Sequence, residues 1–153
     1  MTTPRRRTRP PRADARGPRA RPVPPEVITR LRLTCLDLPE AREEQAWTGV
    51  RWVVRKKNFA HVLTIERGWP PAYAKVARHD GPLCVLTFRC AGAASDVPRF
   101  GRPPFFLPGW WPDIVGMALD EHTDWDDVAA LLVTSYRVLA PRKLAELVDV
   151  VVD

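Results

Sequence analysis

The stretch "VRWVVRKKNFAHVLTI", Val50 to Ile65, limits the folds open to this chain more than any other. Two runs rich in Val, Ile, Trp and Phe, 51–54 and 59–66, flank four polar residues, Arg55, Lys56, Lys57 and Asn58. Branched and aromatic side chains pack well on a pleated surface, so each run predicts a strand. The gap is too short for a parallel crossover, which needs about a dozen residues, so a hairpin and an antiparallel pairing are expected. Within it a four-residue turn is expected, with Asn58 best suited to a left-handed conformation. Alternation along the second run places Phe59, His61, Leu63 and Ile65 on one face.

Helices are expected on both sides of the strands. Ile28, Leu31, Cys35 and Leu38 recur at helical spacing, and Pro24 and Pro25 stand where a helix can begin. Pro39 is expected to restart a short acidic helix, with Glu40, Glu43 and Glu44 near its positive end and Trp47 closing it. Residues 83–90 and 113–119 predict further strands. The stretch "GWPPAYAKVARHDGP" reads as a loop with room for a helical turn, and "AGAASD" as a flexible link. In "TDWDDVAALLVTSYRVLA", Trp125, Val128, Leu132, Tyr136 and Leu139 form one apolar stripe, and Thr123 or Asp124 caps the helix. Pro141 opens a last helix that aligns Leu144, Leu147, Val148 and Val151. Helices, then strands, then helices predict an α+β fold, an antiparallel β-sheet flanked by N-terminal and C-terminal helices.

Charge separates the chain into two regions. Residues 1–22 hold eight arginines against one acid, Asp14, for a net +7. They carry almost no large apolar side chain and many prolines, so a disordered Arg/Pro-rich arm is expected ahead of a single domain at 23–153. The arm either adds salt-sensitive affinity for nucleic-acid phosphates or is an unconstrained extension. The rest of the chain carries 16 basic and 17 acidic residues and is polarised, +5 over 23–109 and −6 over 110–153. A uniformly basic nucleic-acid binder does not look like this. The three cysteines, Cys35, Cys84 and Cys90, form no C-x-x-C and sit in apolar surroundings, which predicts reduced thiols. No apolar run is long enough to span a bilayer, and the basic start lacks the apolar core of a secretory signal. A cytoplasmic monomer is the expectation.

Three groups of residues then resemble the MmcQ/YjbR family of small bacterial proteins. The first is Leu36-x-Leu38-Pro39-Glu40 with Trp47, leading into "WVVRKKNFA". The second is Gly109-Trp110-Trp111 before a strand ending at Asp120, and the third is "SYRVLAPRKL", Ser135 to Leu144. Thr48 and Val50 depart from that family's usual Gly and Pro, Arg55 and Lys56 replace small residues, and 91–108 is longer and richer in proline. The resemblance covers about residues 26–149 and leaves out the arm. It implies a fold similar to the frataxin-like one, and a DNA-binding role in which two hairpin or loop wings engage the duplex.

On that basis Arg51, Arg55, Lys56 and Lys57 are candidate phosphate contacts on the hairpin, with Arg99 and Arg102 beside Phe100 as a second wing. The structural alternative is a charged hairpin tip that keeps edge strands from pairing with other chains. The Pro/aromatic segment 103–112 is either a rigid lid on the sheet, the favoured reading, or a surface for a protein or small-ligand partner. His61, His79 and His122 lack the spacing of a helical metal site. Asp113, Asp120, Glu121, Asp124, Asp126 and Asp127 could gather a hard cation, but three of them already serve to cap a helix. No nucleophile elbow or phosphate-binding glycine loop is present, and Ser135 is expected to bond the preceding helical turn. A non-enzymatic, cofactor-free DNA-binding domain is the expectation, with a protein or small-ligand module as its alternative.

Overall fold

The computed structural model of the chain describes residues 21–148. The first twenty residues of the arm lie outside them, as does Val151 of the expected last helix. Helix α1, Pro25–Cys35, has proline in its first turn and buries Ile28, Leu31 and Cys35, with Leu38 buried just beyond its end. Strands β1 (Arg42–Gln45), β2 (Val50–Val54) and β3 (Lys57–Ile65) come next. Then come α2 (Pro71–Ala77), β4 (Leu83–Arg89), the short helix α3 (Val97–Phe100), β5 (Phe105–Phe106) and β6 (Ile114–Leu119). The long helix α4 (Trp125–Leu139) and the short α5 (Arg142–Ala145) end the described chain.

The six strands form one sheet, antiparallel at every pairing, in the order β1-β2-β3-β4-β6-β5. The α+β expectation, with helices before and after the sheet, holds. The main core lies between the sheet and helices α1 and α4. Trp52, Ala60, Phe88 and Val115 are aligned across four strands by register, and all belong to that core with Leu31, Leu132 and Tyr136. A smaller apolar cluster of Leu63, Ile65, Val85 and Ala74 occupies the other face, beneath α2.

Several local expectations are corrected. The acidic segment after Pro39 is not a helix: Arg42–Gln45 pairs with β2, setting Glu43 opposite Trp52. There Glu43 accepts both nitrogens of Arg32 at 2.9 and 2.8 Å and the Trp52 indole N–H at 3.0 Å. Edge pairing satisfies more backbone groups than an isolated short helix, and a charged edge discourages further strand addition. The hairpin turn has two residues, not four: Arg55 and Lys56 both take positive φ, 49° and 70°, while Lys57 and Asn58 belong to β3. That is the primed geometry whose twist matches the flanking strands. Finally, a register shift opposite Trp52/Val53 breaks the alternation of β3. Phe59 consequently joins the helix-side core, edge-on to Tyr136 at 5.5 Å, whereas Leu63 and Ile65 face α2.

Helix α4 bears out its predicted stripe. Asp124 caps it by accepting the backbone N–H groups of Asp126 and Asp127 at 3.0 and 3.1 Å. Val128, Leu132 and Tyr136 are buried, and Trp125 and Leu139 pack at the margin. Ser135 does not bond the preceding turn as expected. Its hydroxyl donates to the Phe59 carbonyl and accepts the Arg89 N–H, joining α4 to two strands. The last helix is shorter than the sequence pattern suggested. Arg137 on α4 secures the end of this helix and the residues just past it, donating to the carbonyls of Ala145 and Val148.

Candidate nucleic-acid interface

The candidate basic residues occupy two separate places. At the β2–β3 tip, Arg55 makes a two-pronged ion pair with Glu40, and Arg51, lower on β2, pairs with Glu44 at 2.9 Å. Hydrogen bonding from Arg55 holds the Glu40 carboxyl below the usual range, so the pair stays charged near neutrality. Lys56 and Lys57 are exposed and have no acidic partner among the described residues. They are the cations that the hairpin leaves available.

Arg99 and Arg102 lie elsewhere. Arg99 reaches Asp127 in the first turn of α4 at 3.4 Å and covers the Phe100 ring at 4.9 Å. The hairpin, by contrast, meets the other end of that helix: Tyr136 donates to the Pro39 carbonyl at 2.7 Å, one residue before Glu40. Asp127 and Tyr136 are separated by roughly 13 Å along the helix, at ~1.5 Å per residue. The two predicted wings therefore sit at opposite ends of α4. Arg102, three residues after Arg99 in the chain, is exposed and lacks an acidic partner among the described residues.

The segment 103–112 supplies the edge strand β5, and its residues 109–112 stay exposed. Phe105 and Phe106 pair with Met117 and Gly116 of β6, and Phe105 meets Phe100 edge-on at 5.1 Å. A Cβ at Gly116 would fall 2.2 Å from the Phe106 ring, so the ring occupies the space that glycine vacates. Trp111 remains 61 % exposed, and Trp110 is 37 % exposed against Tyr73, with ring centres 5.0 Å apart.

A feature that the sequence pattern left unassigned appears on the sheet face opposite α4. Register aligns Arg51, His61 and Thr87 across β2, β3 and β4. Beside this polar row lies a recess of about 150 Å³ lined by Asn58, His61, Tyr73, Thr87, Arg89 and Trp110. His61 is 6 % exposed and its Nε2 lies 2.8 Å from the Thr48 carbonyl. A carbonyl only accepts, so Nε2 carries the proton and Nδ1 receives the Tyr73 hydroxyl at 3.3 Å. Burial, with Arg51 nearby, lowers the His61 pKa and keeps the ring neutral. Thr87 and Arg89, two apart on β4, were the one local signal for this face; the register shift sets Asn58 and His61 three apart on β3, and Tyr73 and Trp110 come from distant segments.

Among the described residues, no group of three or more His, Cys, Asp or Glu is placed to hold a metal ion, and no helix is long and apolar enough to cross a membrane. Burial raises the pKa of all three cysteines, Cys84 to about 12, which leaves them as thiols at neutral pH. Compared with known protein families and with curated proteins, the chain matches none of either.

Proposed function

We propose that the protein binds DNA through its phosphate backbone, with little sequence preference, and that the β2–β3 hairpin tip makes the contact. The observation that carries this is the pair Lys56 and Lys57: two exposed ammonium groups, without acidic partners among the described residues, one on a tight two-residue turn and the next opening β3. Backbone contacts of this kind position a protein on a duplex without reading bases. The polarity of the domain supports the same orientation. The acidic start of α4, with Asp124, Asp126 and Asp127, lies at the end of that helix away from the hairpin, where it does not oppose an approaching phosphate.

The motif resemblance to the MmcQ/YjbR family supports the same role by analogy, on three short motifs alone. The two wings of that family do not become one surface here, because Arg99 is neutralised by Asp127. The hairpin and the basic arm are left as the contributors. The arm's last residues already touch the body, Arg21 on Glu66 at 2.9 Å and the Pro22 carbonyl on Thr64.

Duplex binding followed by fluorescence anisotropy across a salt series tests the proposal, on the full chain and on a chain starting at Arg21. The shorter chain is expected to keep a salt-dependent affinity. Loss of all binding with the arm would remove the folded domain from the role and favour the protein- or small-ligand-binding alternative.

A further inference from the structure

We infer that the recess on the open face of the sheet is a seat for one unpaired nucleobase. The inference rests on the nucleic-acid reading of the neighbouring hairpin and names what that surface holds beyond a backbone.

The recess offers an aromatic wall and a polar floor. Trp110, Tyr73 and His61 form a continuous edge-to-face row, with ring centres 5.0 and 6.1 Å apart, and Trp47 backs it at 6.4 Å from Tyr73. His61 spends both ring nitrogens on Thr48 and Tyr73, so it is a fixed, neutral part of the wall. Trp110 is partly exposed and borders the recess, which leaves ring surface on which a base can stack.

The floor carries unused hydrogen-bonding capacity. Asn58 accepts from the Ala60 N–H through Oδ1 at 3.1 Å, which leaves both protons of its amide nitrogen. Arg89 gives Nη1 to Asp113 at 2.7 Å and keeps its Nε and Nη2 protons. Thr87 reaches the His61 carbonyl only at 3.5 Å and can turn its hydroxyl to a ligand. Amide, guanidinium and hydroxyl donors around a stacking surface match the acceptor-rich edge of a nucleobase. Arg51, aligned with His61 on the same face, is already paired with Glu44 and takes no part in the seat. At about 150 Å³ the recess admits one planar ring system. Pockets that enclose a drug-sized ligand start near ~300 Å³.

A base reaches such a recess only when it is unpaired, either in a strand or as a free nucleotide. Two measurements separate these sources. The first compares, for the full chain, binding to a duplex with one unpaired adenine and to the same duplex fully paired. The arm and hairpin contact both alike, so their contribution cancels. The unpaired adenine is expected to tighten binding about tenfold, the equivalent of ~1.4 kcal/mol, which lies within the range for base stacking. Trp110→Ala should remove that gain without changing affinity for the paired duplex, and Trp110→Phe should retain most of it. The second titrates adenosine monophosphate.

Equal affinity for both duplexes overturns the inference and leaves the hairpin proposal standing. Saturable, Trp110-dependent binding of adenosine monophosphate with no binding to either duplex supports the nucleobase seat and ends the DNA proposal. Absence of all binding overturns both.

Discussion

The hydroxyl of Ser135 donates to the carbonyl of Phe59 at 2.6 Å and accepts the N–H of Arg89 at 2.8 Å, so one buried oxygen ties α4 to both β3 and β4. Phe59 sits where the register of β3 shifts against β2, and its carbonyl therefore finds its partner in the helix. Loss of this hydroxyl leaves a buried acceptor and a buried donor unmatched. Ser135→Ala is expected to destabilise the fold by about 1–3 kcal/mol, seen as a lower denaturant midpoint at an unchanged slope.

Glu43 is the acidic counterpart. Hydrogen bonding from Arg32 is the largest cause holding its carboxyl below the usual value, with the Arg32 charge and the Trp52 indole adding to it and burial opposing. Its pKa falls on folding, so its stabilisation is complete above the unfolded pKa and is lost as pH falls through the folded one. Glu43→Gln is expected to be less stable than the parent at pH 7, with the difference closing in acid. Urea titrations at pH 7 and below pH 4 measure it, and a pH-independent difference would refute it.

Much of this scaffold is legible in the sequence, for reasons that the structure makes clear. Helix α4 announces itself because Val128, Leu132 and Tyr136 repeat at helical spacing behind an aspartate cap. Strands β2, β3 and β4 do so because their branched side chains are buried on both faces. Strand β1 does not, because Glu43 and Glu44 look helical until Trp52 and Arg51 are placed opposite them. Phe59 and His61 do not share the face that alternation assigns them, because a one-residue register shift carries no local signature. Of the site, the cationic hairpin is legible. The ion pairs that neutralise Arg51, Arg55 and Arg99 are not, since each joins residues that only the fold brings together.

The turn itself trades stability for charge. Lys56 holds φ of 70°, a region that side chains other than glycine occupy at a cost. Lys56→Gly is expected to raise stability by a net ~0.5 kcal/mol, after the added flexibility of the unfolded chain is discounted. The same change should weaken DNA binding. Thermal unfolding and a binding isotherm on the one variant check both signs together.

The cysteines provide a test of the core. Cys35, the last residue of α1, is fully buried, and burial raises its thiol furthest, whereas Cys90 is partly exposed. A thiol reagent at pH 8 is expected to modify Cys90 first and Cys35 last in the native protein, and all three rapidly in denaturant. Mass spectrometry of the partly labelled protein gives the order, and early modification of Cys35 would contradict the packing of α1 on the sheet.

If the hairpin tip holds DNA, two lysines there carry the phosphate contacts of the folded domain. The most direct measurement is the salt dependence of duplex binding by the chain starting at Arg21, with and without the paired changes Lys56→Ala and Lys57→Ala. Each phosphate contact contributes about 0.9 to the slope of log affinity against log salt. The double substitution is expected to weaken binding and to lower that slope by about 1.8, the sum of two such contacts. An unchanged slope and affinity would contradict the role of the tip, and would leave the hairpin as a solvated charged turn.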